Sequence, residues 1–77
     1  MNYVDPRFMD VVEWTDRMVP MVNQKGADVG RLLHPDEWKE WARSVILSNQ
    51  KWQATIPNPY QFDDWREWAE RFLQTVN

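Results

Sequence analysis

The stretch FDDWREWAERFLQTVN, Phe62 to Asn77, decides how the chain is read. Its apolar residues are Trp65, Trp68, Ala69, Phe72, Leu73 and Val76, at i, i+3, i+4, i+7, i+8 and i+11. That spacing draws one stripe along an α-helix and lacks the two-residue period of a strand. The phrase stands elsewhere too. DEWKEWA, Asp36 to Ala42, opens a second stripe of Trp38, Trp41, Ala42, Val45 and Ile46. FMDVVEWTDRMVPMVN, Phe8 to Asn23, gives a third from Val11, Trp14, Met18 and Val22, with Thr15 and Val19 beside it.

Trp14, Trp41 and Trp68 stand at equal steps of 27 residues. In that register Asp10, Glu37 and Asp64 coincide, as do Val11, Trp38 and Trp65, then Glu13, Glu40 and Glu67. Thr15, Ala42 and Ala69 coincide as small residues beside the central indole. The first and third copies also share Phe8 with Phe62 and Arg17 with Arg71, whereas the middle copy has Ser44 in place of the arginine. Two readings follow: a degenerate helical repeat of 27 residues, or three amphipathic helices made similar by a shared period. Both predict an all-α chain with one tryptophan-bearing face per helix.

Prolines punctuate the helices. Asp5-Pro6, His34-Pro35 and Asn58-Pro59 each put proline where a first helical residue belongs. Asp and Asn are good N-caps and His a poor one. Asp36, Glu37, Asp63 and Asp64 crowd the first turns, where the helix dipole favours them. Glu13–Arg17 and Glu67–Arg71 are i,i+4 pairs, each contributing about 0.2–0.5 kcal/mol. Pro20 is expected to end or kink the first helix near Val19. NQKGADVG, Asn23 to Gly30, reads as a loop, and ATIPNPY, Ala54 to Tyr60, as an extended connector. GRLLHP is compatible with a turn of helix or with an extended run that tucks Leu32 and Leu33 inward. The expected helices cover about 6–20, 35–51 and 61–76 of a single domain over residues 1–77, either compact or splayed on a partner.

Composition narrows the function. A chain of 77 residues buries only about 60% of the surface its unfolded form exposes, so its stability needs a supplement. There is no cysteine and one histidine, His34, which leaves neither a disulfide nor a plausible zinc set. The supplement is then large side chains, six of them tryptophan at roughly 150–250 Å² each, or a partner. The net charge of −3, without a basic run, argues against nucleic acid. No apolar run is long enough for a membrane span, and MNYVDPRF does not read as a secretory leader.

Carboxylates Asp36, Glu37, Glu40, Asp63, Asp64 and Glu67 lie at helix starts and on outer faces, where solvated capping explains them better than acid–base chemistry. No calcium loop, phosphate loop or nucleophile beside His34 stands in the sequence. The expectation is a non-enzyme with no cofactor, no metal and no small-molecule substrate. Trp14, Trp41, Trp68, Val45 and Phe72 are expected in the core. Trp38, Trp52 and Trp65, with Tyr60 and Phe62, are expected on a partner-binding surface, because three short helices can hardly enclose six indoles.

The phrase carried by Phe62, Asp64, Trp65, Trp68, Ala69 and Leu73, echoed at Asp36, Trp38, Trp41 and Ala42, resembles short segments in small structural proteins of tailed bacteriophages. There an aromatic-Asp-Trp-x-x-Trp-Ala helix recurs in head, tail and fibre-attachment components. The resemblance covers about a dozen residues per copy, and the first copy departs from it at Val11 and Pro20. It implies a virion component, made in the host cytoplasm and present in many symmetric copies, that binds larger virion proteins. The rival expectation is a small acidic regulator or inhibitor of a host or phage protein.

Overall fold

A computed structural model describes residues 4–76. Among them the architecture is all-α: α1 (Val11–Gln24), α2 (Trp38–Leu47), α3 (Gln50–Thr55) and α4 (Trp65–Val76), with no strand. Three 3₁₀ turns, Pro6–Phe8, Pro35–Glu37 and Pro59–Gln61, precede α1, α2 and α4. The three long helices begin at 11, 38 and 65, on the same 27-residue step as the tryptophans.

The prolines therefore open 3₁₀ turns rather than α-helices. Asp5 and Asn58 cap these turns, accepting from Arg7 N at 2.9 Å and Tyr60 N at 3.0 Å, while His34 makes no capping bond. Hydrogen bonds from the Arg7 side chain and backbone hold the Asp5 carboxyl below its ordinary range. α1 and α4 start one turn later, on their own caps, whereas α2 continues directly from its 3₁₀ turn at Trp38 without a side-chain capping bond. Asp10 accepts from Glu13 N at 2.8 Å and opens α1. Asp64 accepts from Arg66 N at 3.0 Å through its side chain, and its carbonyl receives Glu67 N. Those caps displace the expected starts at 6 and 61.

Pro20 does not end α1, which runs on to Gln24. The ring sits on an exposed face, so the carbonyl of Asp16 that loses its donor remains open to water. Met18 and Val22, 3% and 0% exposed, bind the last turns to the core. The helix ends at Gly26, whose φ of +108° closes the turn. Gly26 N donates to Asn23 O, and Ala27 N to Val22 O, the paired bonds of a Schellman stop. Replacing Pro20 by alanine restores an amide donor and is expected to stabilise the domain, by at most about 3 kcal/mol. A rise in the thermal midpoint checks this; an unchanged or lower midpoint refutes it.

The expected helix 35–51 is two helices. At Asn49 the backbone turns extended (φ −143°, ψ 116°), and the side chain caps α3 by accepting from Lys51 N at 3.0 Å. Its amide also reaches Lys25 O at 3.1 Å, joining this corner to the end of α1. A local bond of this kind competes with helix continuation, and here it wins. Leu32 and Leu33 also part company: the run is extended, so neighbours face opposite ways, leaving Leu32 buried and Leu33 72% exposed.

Of the two expected shapes, splayed or compact, the chain is compact. Its radius of gyration is 11.2 Å, against about 11.5 Å for a compact domain of this length. Its accessible surface is 5163 Å², against roughly 5,000 Å² for a folded chain of this mass. Trp14, Trp68, Phe72 and Val45 are essentially sealed, and Trp41 is 7% exposed. Trp68 stacks on Phe72 at 5.1 Å, and Trp14 meets Trp41, Trp68 and Phe72 edge-on at 6.0–6.2 Å. Thr15, Ala42 and Ala69, all at most 1% exposed, are the small residues among which these rings fit.

Candidate functional site

The 27-residue step reappears in the hydrogen bonds. Trp41 Nε1 donates to Gly30 O and Trp68 Nε1 to Pro57 O, each at 2.9 Å and each eleven residues back along the chain. The corresponding residue for Trp14 is Tyr3, which lies outside the described residues. Among the described residues Trp14 Nε1 itself is buried without an acceptor. Trp14→Phe is therefore expected to cost less stability than Trp68→Phe, by about 1–3 kcal/mol, because only the second leaves a carbonyl without its donor. Urea unfolding of both variants measures the gap; equal losses would count against it.

The rings are arranged in a cycle. Trp14 of α1 packs on Trp65 of α4 at 5.7 Å and 46°, and Trp68 of α4 packs on Trp38 of α2 at 6.1 Å and 47°. In the same order the third pair is Trp41 with Val11, where no ring stands. Val11, Trp38 and Trp65, the first residues of α1, α2 and α4, thus surround one place. There an open groove of ≈ 460 Å³ is lined by these three with Asp10, Val12, Pro35 and Arg66.

The walls of this groove are mostly apolar. Asp10 is committed to capping α1. Arg66 bridges back to the first turn, donating from Nε to Pro6 O and from Nη2 to Met9 O, both at 3.1 Å. Its guanidinium also lies 4.8 Å from the centre of the Trp65 ring, as the Lys39 ammonium lies 5.8 Å from that of Trp38. Trp38 and Trp65 are half-buried, held from inside by other rings and open on the groove side.

The five residues expected on a partner surface separate. Trp38 and Trp65 meet in the groove. Trp52 does not belong to a surface: it is 5% exposed and meets Phe72 edge-on at 6.1 Å within the core. The helix breaks at Asn49, and the separate helix α3 that follows places this indole against Phe72 of α4. Phe62 is half-buried against the core edge. Tyr60 is 47% exposed beneath Arg43, 6.0 Å from its guanidinium, near a smaller groove of ≈ 210 Å³ between α2, α3 and the third 3₁₀ turn. Phe8, 79% exposed, and Leu47, 55% exposed, are surface apolar residues that helical periodicity did not mark, Phe8 because it sits in a 3₁₀ turn.

His34 and the carboxylates Asp36, Glu37, Glu40, Asp63, Asp64 and Glu67 are all exposed. Among the described residues no group of three or more His, Asp and Glu could hold a metal ion, and no helix is long and apolar enough to cross a membrane. The groove can hold an apolar segment by burial; it presents no arranged nucleophile or acid–base pair. Searches among protein-family models, curated proteins and solved structures find no match to this chain.

Proposed function

We propose that this chain is a non-enzymatic structural or adaptor subunit of a tailed-phage virion, docking to a larger virion protein through the groove between Trp38 and Trp65. The observation that carries the docking reading is the placement of these two indoles. A chain that encloses its other four tryptophans to within 7% exposure leaves these two half-buried on the wall of one groove, at the meeting point of three helix starts. Large aromatic residues in a pre-formed cleft are typical anchors of protein interfaces. The virion setting rests on the resemblance of the Phe62–Leu73 phrase, in which Trp68, Ala69 and Leu73 serve the helix packing and Trp65 faces the groove. Many copies in a symmetric particle would make contacts of modest strength effective together.

Purified particles test both parts. Mass spectrometry is expected to detect the chain in them, and its absence would favour the regulator reading instead. A photo-crosslinking residue at position 65 is expected to join the chain to one virion protein. In binding to that protein, Trp65→Ala is expected to lose about tenfold or more while losing little helicity by circular dichroism. Unchanged affinity would remove the groove from the interface.

A further inference from the structure

The turn ahead of α1 is anchored from the far end of the chain. Pro6–Phe8 packs against α4, and the Arg66 side chain reaches it from that helix. Nε donates to Pro6 O and Nη2 to Met9 O, both at 3.1 Å, across 60 and 57 residues. A planar guanidinium holds its N–H groups in a fixed fork, so one arginine grips both ends of the turn. Within the turn the bonds are local. Asp5 accepts from Arg7 N at 2.9 Å and from the Arg7 guanidinium at 2.7–3.1 Å, and Phe8 N donates to Asp5 O. Residues 5–8 are thus tied to one another as a small unit.

The junction with α1 is built differently. Met9 (φ −138°, ψ 156°) and Asp10 (φ −81°, ψ 170°) are extended, and the Asp10 side chain caps α1 by itself. The first turn of α1 therefore has its donor satisfied whether or not the preceding unit stays in place. Extended residues at the end of an element are where such a unit can swing. Few side chains oppose the swing by burial: Pro6 is sealed and Val4 and Met9 are half-buried, while Arg7 and Phe8 face solvent. Two hydrogen bonds from a charged donor carry comparable weight, so they decide whether the unit is closed. Hinge and latch both border the groove. Asp10 and Arg66 line it, and the Arg66 guanidinium lies 4.8 Å from the centre of the Trp65 ring.

We propose that residues 5–9 are a strap that Arg66 latches to α4. The strap opens as one unit about Met9 and Asp10 while the helices stay folded, and its release frees the Arg66 edge of the groove. This is a property of the isolated chain and stands whether or not the groove is the docking face.

Trypsin digestion of the full chain tests it, because a protease cuts after Arg7 only when the turn has opened, and its rate follows the open population. Cutting after Arg17, inside α1, reports unfolding of the helices instead. The ratio of the two initial rates, followed by mass spectrometry, separates a moving strap from a weakened domain. Arg66→Ala is expected to raise the ratio about tenfold or more with the circular dichroism unchanged. Arg66→Lys keeps the charge without the fork and is expected to raise the ratio too, by a smaller factor. Asp5 does not line the groove. Asp5→Ala is nevertheless expected to shift the Trp65 indole NMR signal, assigned by Trp65→Phe, and to leave that of Trp41 in place. An unchanged ratio in Arg66→Ala, or both rates rising together, overturns the strap. A parental ratio in Arg66→Lys overturns the two-pronged latch. An unmoved Trp65 signal in Asp5→Ala overturns the link to the groove.

Discussion

Trp68→Ala is expected to abolish a folded baseline, or to leave one that melts well below the parent. Trp68 is 1% exposed, stacks on Phe72 at 5.1 Å, touches Trp14 and Trp38, and donates to Pro57 O. Truncating a buried aromatic costs about 3–5 kcal/mol through lost transfer energy and the cavity that remains. A domain of 77 residues is stabilised by roughly 4–12 kcal/mol in all, so this one change removes a large share. Far-ultraviolet circular dichroism against urea measures it. Trp65→Ala in the same experiment is expected to lose far less, because its ring is only half-buried and the groove beside it is already open to water. Equal losses would contradict the division between core and groove.

Trp52→Ala is expected to behave like the core variant, with a loss of about 3–5 kcal/mol. The reason is specific to α3. Six residues are too few to sustain a helix alone, so α3 exists because something fastens it to the rest. Trp52 is its one buried residue and its link to Phe72. Hydrogen exchange gives the sharper readout. The Ile56 amide, which donates to Trp52 O at 2.9 Å, is expected to lose most of its protection in the variant. Retained protection with reduced partner binding would return Trp52 to the surface role that the excess of indoles over core space suggested.

The all-α class and the core places of Trp14, Trp41, Val45, Trp68 and Phe72 were legible in the residues. Trp14, Trp41 and Trp68 carry the register, and the small residue after each of them predicted close helix approach. Each pattern is local, set by a period of 3.6 residues and by the size of adjacent side chains. The helix boundaries were less legible. Proline marks where a helical turn can begin, but it does not say whether that turn is 3₁₀ or α. At 6 and 59 a second cap, Asp10 or Asp64, restarted the helix a turn later. Pro20 misled for the converse reason. Its penalty is local, while the burial of Met18 and Val22 that overrides it depends on neighbours distant in sequence.

Of the candidate site, the identities of Trp38 and Trp65 could be read from their place at the edge of each stripe, but not their meeting. That requires α1, α2 and α4 to close into a cycle, which depends on three-dimensional packing around Trp14. Trp52 shows the limit from the other side, since one extended residue at Asn49 breaks the expected helix and the indole of the short helix that follows is a core one. What the amino-acid sequence determined by itself is everything that follows from helical period and side-chain size: the class, the stripes, and an excess of indole for so few residues. The tertiary structure alone decided which indoles are sealed and which stay open. Burial is a property of all the surfaces that meet at a point, and residues far apart in the chain supply them.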